Sequence, residues 1–262
     1  FIIMERILIS DTPKFIGQII KVAGWVNVRR DHGKIIFIDI RDRSGIIQSV
    51  VIPDEKETYE TAKTLKSEYS VEVEGLIKER PMSAKKEGMV TGGVEMEVKN
   101  VKIIGKTHDE LPIDISKEEM GLNLDTLLNN RVLTLRNDKI KSIFKVSSEV
   151  VRSYGEFLRK DGFLEIKTPK ILNAATEGGA NFFKIKYFER EAYLAQSPQF
   201  YKQMAAGSFE RVFEVGTVFR AEPHFTSRHV NEFTGLDAEM SFIGSFEDVM
   251  RELEKTMAYM MK

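Results

Sequence analysis

The stretch IIKVAGWVNVRRDHGKIIFIDIRDRSGIIQSVVIP, residues 19–53, decides the fold of the first part of this chain. Apolar and polar residues alternate along three short runs, and the turn-forming sequences DHGK and DRSG separate these runs. Alternation with a period of two is typical of strands that bury one face, and clusters containing Gly, Asp and Ser mark turns. We therefore expect three successive β-strands here.

The sequence on the C-terminal side of this stretch extends the pattern. A charged segment, residues 54–68, is predicted to be a helix, and YSVEVEGLIKE (69–79) and GVEMEVKNVKII (93–104) are predicted to be two further strands. Five strands interrupted by one helix is the order of the OB-fold, a small Greek-key barrel that often binds oligonucleotides. We therefore predict an OB-fold domain over residues 1–105.

The rest of the chain follows a different pattern. Residues 106–136 show little periodicity and are predicted to be a hinge or linker. From residue 137, apolar residues recur with the helical period between Ile140 and Leu158, which predicts a long helix with a buried apolar stripe. Strand-like pieces follow, and an amphipathic helix is predicted from Ser245 to Lys262. Residues 137–262 are thus predicted to form an α+β domain.

Composition excludes several classes of protein. With 262 residues, 42% hydrophobic and 30% charged, the chain is long enough for two modest domains with packed cores. The net charge is −1, so a nucleic acid would have to be held by a local basic patch. The absence of cysteine excludes disulfides, cysteine zinc sites and thiol nucleophiles. No apolar run approaches the roughly 18 residues of a membrane span, and no signal peptide is recognisable, so we expect a cytoplasmic protein that does not contact membranes.

Several separated blocks resemble one family, the aspartyl-tRNA synthetases of class II. The block DGFLEIKTPKI (161–171), which follows the long helix, resembles motif 1 of that class, with Pro169 at the position of its proline. The other blocks, in chain order, are GWVNVRRDHGKIIFIDIRDRSGIIQ (24–48), similar to the anticodon-binding domain; ATEGGA (175–180), similar to the flipping loop; YLAQSPQFYKQ (193–203), similar to the amino-acid pocket; and RVFEVGTVFRAEPHFTSRHVNEFTGLDAEMSF (211–242), similar to motif 2.

The resemblance implies a fold and an activity. The fold would be an N-terminal OB-fold barrel followed by the N-terminal part, with motifs 1 and 2, of the antiparallel-sheet catalytic domain of class II synthetases. The activity would be the ligation of aspartate to tRNA: L-aspartate and ATP, with Mg²⁺, give aspartyl-adenylate, and the aspartyl group passes to tRNA-Asp, with tRNA-Asn as a second candidate. Motif 1 implies a homodimer.

The residue predicted to meet the α-phosphate of ATP is Arg220. Negative charge grows on that phosphate as pyrophosphate leaves, and the planar guanidinium at the end of an apolar strand suits phosphate or carboxylate oxygens. The resemblance assigns Arg220 the catalytic role, places Glu222 near the adenylate and stacks adenine on Phe233. It places Arg228 and His229 near the triphosphate or the tRNA acceptor end. The alternatives are a surface salt bridge for Arg220, a polar loop residue for His229 and a core residue for Phe233.

The residue predicted to select the amino acid is Lys202. A side-chain carboxylate needs a cation in a buried pocket, because leaving it unpaired there would cost several kcal/mol. The resemblance adds Ser197 and Gln199 to the aspartate pocket and gives Glu177 of the flipping loop to the substrate ammonium. The alternative is that Lys202 is an exposed helix lysine.

The anticodon is predicted to bind the barrel. Residues 21–50 hold six Lys or Arg against three Asp, a local excess that attracts a phosphate backbone. Unpaired bases are recognised by stacking on aromatic rings and by hydrogen bonds to their edges. Phe37 would be the stacking platform, Gln48 the edge reader and Arg30 a neighbouring contact, as the resemblance also implies. Phe37 as a barrel-core residue is the alternative.

Two features indicate a piece of a longer protein. No third class II motif, with its adenine-binding arginine, follows Phe242, so no metal ligand is assigned and the Mg²⁺ ligands are expected beyond Lys262. Met4 resembles a natural start, and the chain stops inside a helical pattern. We expect the 262-residue chain alone to activate aspartate poorly. An asparaginyl-tRNA synthetase and a non-catalytic tRNA-binding paralogue are the alternative functions.

Overall fold

The computed structural model describes residues 5–107, 111–115, 117, 119–174, 181–224, 226 and 229–262. Contacts within the chain divide it into two units, Phe1–Asn137 and Asp138–Lys262.

The first unit is built on a closed five-stranded barrel with the hydrogen-bonded strand order β1-β2-β3-β5-β4. Its strands are β1 (Ile19–His32), β2 (Ile35–Arg41), β3 (Ile46–Val51), β4 (Ser70–Glu79) and β5 (Val94–Gly105), with helix α1 (Lys56–Thr64) between β3 and β4. Two 3₁₀ helices, Ile9–Phe15 and Met82–Ala84, complete the barrel region. The predicted order of five strands and one helix, and the OB-fold, are confirmed.

Alternation along the strands, regular on β2, β3 and most of β4, separates the barrel core from its outer surface. On β2, Ile36, Ile38 and Ile40 are fully buried, whereas Phe37 and Asp39 between them are half-buried on the other face. Successive side chains of a strand point to opposite faces, so the apolar set fixes which residues the barrel shows to its surroundings.

A buried ionic cluster ties the residues after the barrel to it. The side chain of Glu68 has no exposed surface, and both its oxygens accept hydrogen bonds from Arg41 Nη2 at 2.9 Å. Arg136 also pairs with Glu68, and its guanidinium lies 5.8 Å from the ring centroid of Trp25. Arg41 is therefore occupied inside the protein and does not contribute to the basic surface that its sequence suggested.

Two short helices precede Arg136, α2 (Leu124–Asn129) and α3 (Arg131–Thr134). They lie within residues 106–136, where the sequence showed no helical period. Their four to six residues are too few to display a 3.6-residue repeat, and the Asn123 side chain caps α2 by accepting from Thr126 N at 2.8 Å.

In its described residues, the second unit contains two three-stranded sheets and three helices, with sheet orders β11-β10-β6 and β7-β9-β8. Its elements are α4 (Asp138–Lys160), β6 (Leu164–Glu165), β7 (Ile171–Leu172), β8 (Lys184–Tyr187), β9 (Arg190–Leu194), α5 (Gln199–Phe209), β10 (Arg211–Phe219), β11 (Glu232–Met240) and α6 (Phe246–Met260). Strands β10 and β11 pair antiparallel along their whole lengths, from Arg211 opposite Met240 to Phe219 opposite Glu232.

The apolar stripe predicted along α4 is buried only in its second half. Tyr154 and Leu158 pack with Phe163 and Phe213, while the α4 residues Ile143, Phe144 and Val146 are exposed. Helix α6 packs against the same half of α4, where Tyr259 Oη donates to Glu156 Oε1 at 2.8 Å. In the first half of α4, the apolar side chains of Ile143 and Val146 are thus exposed.

Helix α5 was anticipated only in the alternative that made Lys202 a helix residue. Its sequence QFYKQMAAGSF lacks a clear apolar stripe, and its only two buried residues, Lys202 and Ala206, include a charged one. Among the described residues, no helix has both the length and the apolar content needed to cross a membrane.

Candidate active site and nucleic-acid face

The two faces of the β10–β11 hairpin have different chemistry. Phe213 packs into the core beside α4, and Val215 and Leu236 pack against the same cluster. The residues that alternate with these along each strand point to the opposite face of the hairpin. In chain order, these are Val212, Glu214, Gly216 and Val218 on β10, and Phe233, Gly235, Asp237 and Glu239 on β11.

A pair of glycines leaves the middle of this second face without side chains. Gly216 and Gly235 are directly paired across the two strands. A Cβ atom on Gly235 would lie 2.7 Å from Asp237 Oδ2, and one on Gly216 would lie 3.1 Å from Lys170 Nζ. The glycine floor, as we call Gly216 and Gly235, therefore separates Phe233 from Asp237. At the rise of a β-strand, these two residues are about 13 Å apart.

Arg220 lies at the Phe233 end of the glycine floor. Strand β10 ends at Phe219, and Arg220 N donates to Asn231 O at 2.9 Å. The guanidinium lies 5.6 Å from the ring centroid of Phe233, a cation–π arrangement. In the described part of the chain Arg220 has no carboxylate partner, so the surface salt bridge considered as an alternative is not found there.

Glu222 and His229 follow in the loop between β10 and β11. His229 Nε2 lies 3.9 Å from Glu222 Oε2, and Nδ1 lies 2.6 Å from Thr226 Oγ1. The amide of Asn231, oriented with its nitrogen toward the loop, donates to Arg220 O at 3.1 Å and to Glu222 O at 3.2 Å. These bonds hold the two ends of the loop together, while Arg228 lies outside the described residues.

Lys202 lies at the other end of the glycine floor. It is 5% exposed on α5, and its Nζ lies 2.9 Å from Asp237 Oδ1 and 3.7 Å from Glu239 Oε2. The alternative of an exposed helix lysine is right about the helix and wrong about the exposure. A buried cation between two carboxylates is the kind of group that a charged ligand can engage.

Two of the other residues predicted for the amino-acid pocket, Ser197 and Gln199, lie near Lys202. Gln199 Nε2 donates to Glu239 Oε2 at 3.4 Å, and Gln199 N donates to Ser197 Oγ at 3.3 Å. Glu177 lies outside the described residues. The structure thus brings Ser197, Gln199 and Lys202 together at one end of the hairpin.

Asp237 and Glu239 were not identified from the sequence. Their spacing in GLDAEM, two residues apart within a predicted strand, places both on one face and was the available signal. The cluster of Lys202, Asp237 and Glu239 contains one cation and two carboxylates.

Glu214 anchors the motif 1 proline segment to the hairpin. It is 2% exposed and accepts hydrogen bonds from Thr168 N at 2.9 Å, Thr168 Oγ1 at 2.7 Å and Lys170 Nζ at 2.9 Å. Burial alone would raise the pKa of the Glu214 carboxyl, but the bonds from Thr168 and Lys170 bring that pKa below its ordinary value. The charged form of Glu214 therefore holds the residues on both sides of Pro169 against β10.

A metal centre is not evident in the described ranges. Within them, no group of three or more His, Cys, Asp or Glu side chains is placed to hold a metal ion.

The outer face of the barrel carries the residues predicted to read an anticodon. Arg30 and Phe37 are directly paired between β1 and β2, and Arg30 Nη2 donates to both oxygens of Asp39 at 3.0 Å. Gln48, paired with Asp39, donates from Nε2 to Glu95 Oε2 at 3.4 Å. Because Phe37 is half-buried on the outer face, the alternative of a barrel-core residue is wrong.

Two family models match the chain. Residues 123–262 match tRNA synthetases class II (D, K and N), and residues 20–104 match the OB-fold nucleic acid binding domain.

Individual proteins resemble the whole chain. The aspartate-tRNA(Asp/Asn) ligase of Methanopyrus kandleri is 44% identical over 255 residues, covering 96% of this chain and 57% of the relative. The aspartate-tRNA(Asp) ligase of Pyrococcus abyssi is 45% identical over 252 residues, covering 95% of this chain and 56% of the relative. The chain thus spans somewhat more than half the length of these relatives.

Solved structures agree with the sequence comparisons. Asparaginyl-tRNA synthetase from Pyrococcus horikoshii complexed with asparaginyl-adenylate superposes with a TM-score of 0.87 at 36% identity, covering 98% of this chain and 57% of that one. A putative aspartyl-tRNA synthetase from Leishmania major gives a TM-score of 0.88 at 33% identity, covering 99% and 52%. Both amino-acid specificities therefore occur on this fold.

Proposed function

Because the chain belongs to the class II tRNA synthetases of the D, K and N group, we propose that it is part of an aspartate-tRNA ligase. The complete protein would activate L-aspartate with ATP to aspartyl-adenylate and transfer the aspartyl group to tRNA-Asp. Its relatives differ in the tRNA that their names give, so tRNA-Asn stays a second candidate. The observation that carries the proposal is the burial of Lys202 beside Ser197 and Gln199.

Lys202 supports aspartate over asparagine as the substrate. A buried ammonium gives a side-chain carboxylate a partner of opposite charge, whereas a neutral amide would leave that ammonium with a weaker contact. Asp237 and Glu239 hold the Lys202 side chain toward the glycine floor. The two carboxylates also outnumber the one ammonium, so the cluster by itself attracts the substrate carboxylate less than Lys202 alone would. We therefore expect the rest of the protein to supply a further cation, and the 262-residue chain alone to activate aspartate poorly.

Arg220 and Phe233 would hold ATP at the opposite end of the glycine floor. Adenine would stack on Phe233, and the guanidinium of Arg220 would bind the α-phosphate and the substrate carboxylate. Arg220 now lies over the Phe233 ring, so it would turn toward the phosphate as adenine takes its place. Glu222 would lie close to the adenylate, and the loop with Arg228 and His229 would approach the triphosphate or the acceptor end of the tRNA.

The glycine floor would set the distance between the two substrates. Phe233 and the Lys202 cluster are separated by a strip without side chains, where the reacting carboxylate and α-phosphate could meet. Orientation of two reactants on a rigid sheet lowers the barrier, because translational and rotational freedom is lost on binding and not in the reaction. ATP is accompanied by Mg²⁺ in this family, but no step proposed for these residues depends on the ion.

The barrel would bind the anticodon of tRNA-Asp. Phe37 would stack an unpaired base, Gln48 would read a base edge, and Arg30 would contact the backbone or a base beside them. Their common outer face supports this assignment.

The exposed residues Ile143 and Val146 on α4 support a homodimer formed through motif 1. We also propose a cytoplasmic location for the protein.

Exchange of labelled pyrophosphate into ATP by the complete protein tests the proposed function. We expect exchange that depends on aspartate, and asparagine at the same concentration to support it at least about 100-fold less well. A preference for asparagine would establish an asparaginyl-tRNA synthetase. Binding of tRNA without exchange would establish a non-catalytic paralogue. Robust exchange by the 262-residue chain alone would contradict the proposal that it is incomplete.

A further inference from the structure

The backbone carbonyl of Asn181 accepts two hydrogen bonds from different parts of the candidate site. Ala221 N donates to it at 3.1 Å, and Gln196 Nε2 donates to it at 3.2 Å. Ala221 directly follows Arg220, and Gln196 directly precedes Ser197. One carbonyl therefore joins the segment proposed to bind ATP to the segment proposed to bind aspartate.

The backbone beside Gln196 is fixed between both sheets of the unit. Ala195 N donates to Lys170 O at 3.0 Å, and Ala195 O accepts from Phe219 N at 2.9 Å. Phe219 is the last residue of β10, immediately before Arg220. The side chain of Gln196 consequently starts from a rigid point, and its amide has little freedom to follow if Asn181 moves.

Because Gln196 is buried, the hydrogen bond of its amide matters for the free energy of the folded protein. The residue is 2% exposed, and within the described ranges its Oε1 has no hydrogen-bond partner. A buried acceptor without a partner costs free energy, and an apolar side chain of similar length would avoid that cost. The amide is therefore better explained by the bond that its nitrogen donates than by packing.

We propose that Gln196 is a positioning residue that couples the binding of the amino acid to the binding of ATP. Through Asn181 O it holds the backbone of Ala221, and with it Arg220, in register with Ser197 and the rest of the amino-acid pocket. Occupation of either site then restricts the same carbonyl and favours occupation of the other. This inference rests on the proposed function.

The test compares two changes at Gln196 with a matched control in the complete protein. Gln196→Met keeps the length of the side chain and removes the donor, and Gln196→Asn keeps the amide but is one methylene too short to reach Asn181 O. Gln18→Met makes the same chemical change at an exposed position of the first unit. For each protein, the dissociation constant of aspartate is measured with and without a non-hydrolysable ATP analogue, and kcat and KM are measured for pyrophosphate exchange.

We expect the analogue to tighten aspartate binding several-fold in the native protein and in Gln18→Met. In both Gln196 variants this tightening should fall to nearly none, and kcat/KM for exchange should fall about tenfold, the effect of losing roughly one hydrogen bond. The dissociation constant of aspartate measured without the analogue should change little. A general loss of structure would instead weaken aspartate binding under both conditions.

Retention of the coupling in a folded Gln196 variant overturns the inference, as does its absence from the native protein. If Gln196→Met does not fold by circular dichroism, Gln196→Asn alone decides between these outcomes. A native protein that binds aspartate and the analogue cooperatively but catalyses no exchange would defeat the proposed function and leave the coupling standing. A native protein that binds neither would defeat both.

Discussion

Lys202 Nζ lies 2.9 Å from Asp237 Oδ1, so the buried cation of helix α5 is fixed to the neighbouring strand β11 at one end of the glycine floor. Helix and strand meet through this pair and through the longer contact of Lys202 with Glu239. Side chains on two different elements thus define one charged pocket. Single substitutions in and around this pocket therefore test the role of each residue separately.

Replacing Lys202 by Met in the complete protein should raise KM for aspartate about 100-fold, because a buried carboxylate of the substrate would lose its cation. Pyrophosphate-exchange kinetics at varied aspartate measure this effect. Lys186→Met, at an exposed position of β8, is the matched control and should leave KM unchanged. An unchanged KM in a folded Lys202→Met protein would show that Lys202 does not bind the side-chain carboxylate.

Replacing Gly235 by Ala should reduce exchange activity tenfold or more, since the added Cβ would lie 2.7 Å from Asp237 Oδ2 and would enter the strip between the two substrates. The control is Gly207→Ala on helix α5, where an added Cβ meets nothing within 4 Å. This second change should raise the free energy of unfolding by roughly 0.5–1 kcal/mol without lowering activity, because alanine is favoured over glycine inside a helix. Full activity in Gly235→Ala would contradict the role of the glycine floor.

Acid should weaken the second unit through Glu214. The pKa of its carboxyl is lower in the folded protein than its ordinary value of 4.5, so its contribution to stability is present above that pH and is lost as the pH falls through the folded-state pKa. Glu214→Gln should therefore be less stable than the native chain at neutral pH and should show a flatter dependence of unfolding free energy below about pH 5.

Urea unfolding followed by far-ultraviolet circular dichroism measures this effect, and the fluorescence of Trp25, the only tryptophan, reports the barrel separately. Glu189→Gln, at an exposed position, is the control and should keep the native pH dependence. A Glu214→Gln chain with the native acid sensitivity would show that another carboxylate is responsible.

Replacing Phe37 by Ala should weaken binding of the tRNA-Asp anticodon stem-loop about tenfold or more, the usual loss when one base loses its aromatic partner. The barrel should keep its stability, because Phe37 lies outside the core formed by Ile36 and Ile38. Fluorescence anisotropy of a labelled stem-loop measures the affinity. Phe188→Ala, which removes an exposed ring from the second unit, should have no effect. Equal affinities of the two variants would argue against Phe37 as the platform.

The regular elements could be predicted wherever the local pattern was strong. Alternation in IIFIDI and VEMEV placed β2 and β5 correctly, because one face of each strand lies in the barrel core. Helix α5 was anticipated only in the alternative for Lys202, since its buried residues include Lys202 and its apolar residues do not form one stripe. The buried apolar stripe of α4 was predicted too long, because an apolar face in the sequence does not reveal whether a partner covers it.

The candidate site was predicted in part. The sequence and the resemblance predicted roles for Arg220, Phe233, Ser197, Gln199 and Lys202, and these roles stay predictions. Asp237, Glu239, Glu214 and Gln196 were not identified. Acidic and amide residues are ordinarily found at the surface, and their burial here depends on partners far away in the chain, such as Asn181 for Gln196 and Thr168 for Glu214.

The sequence by itself determined the order of the barrel strands, the family and the residue types available for the chemistry, because periodicity and motifs are local properties of a chain. Only the tertiary structure decided which charges are paired: Arg41 turns inward to Glu68, and Lys202 is buried against Asp237. It also decided that two glycines distant in sequence, Gly216 and Gly235, meet in one floor. The physical reason is that burial and pairing depend on distances between segments, and packing of the whole unit sets those distances.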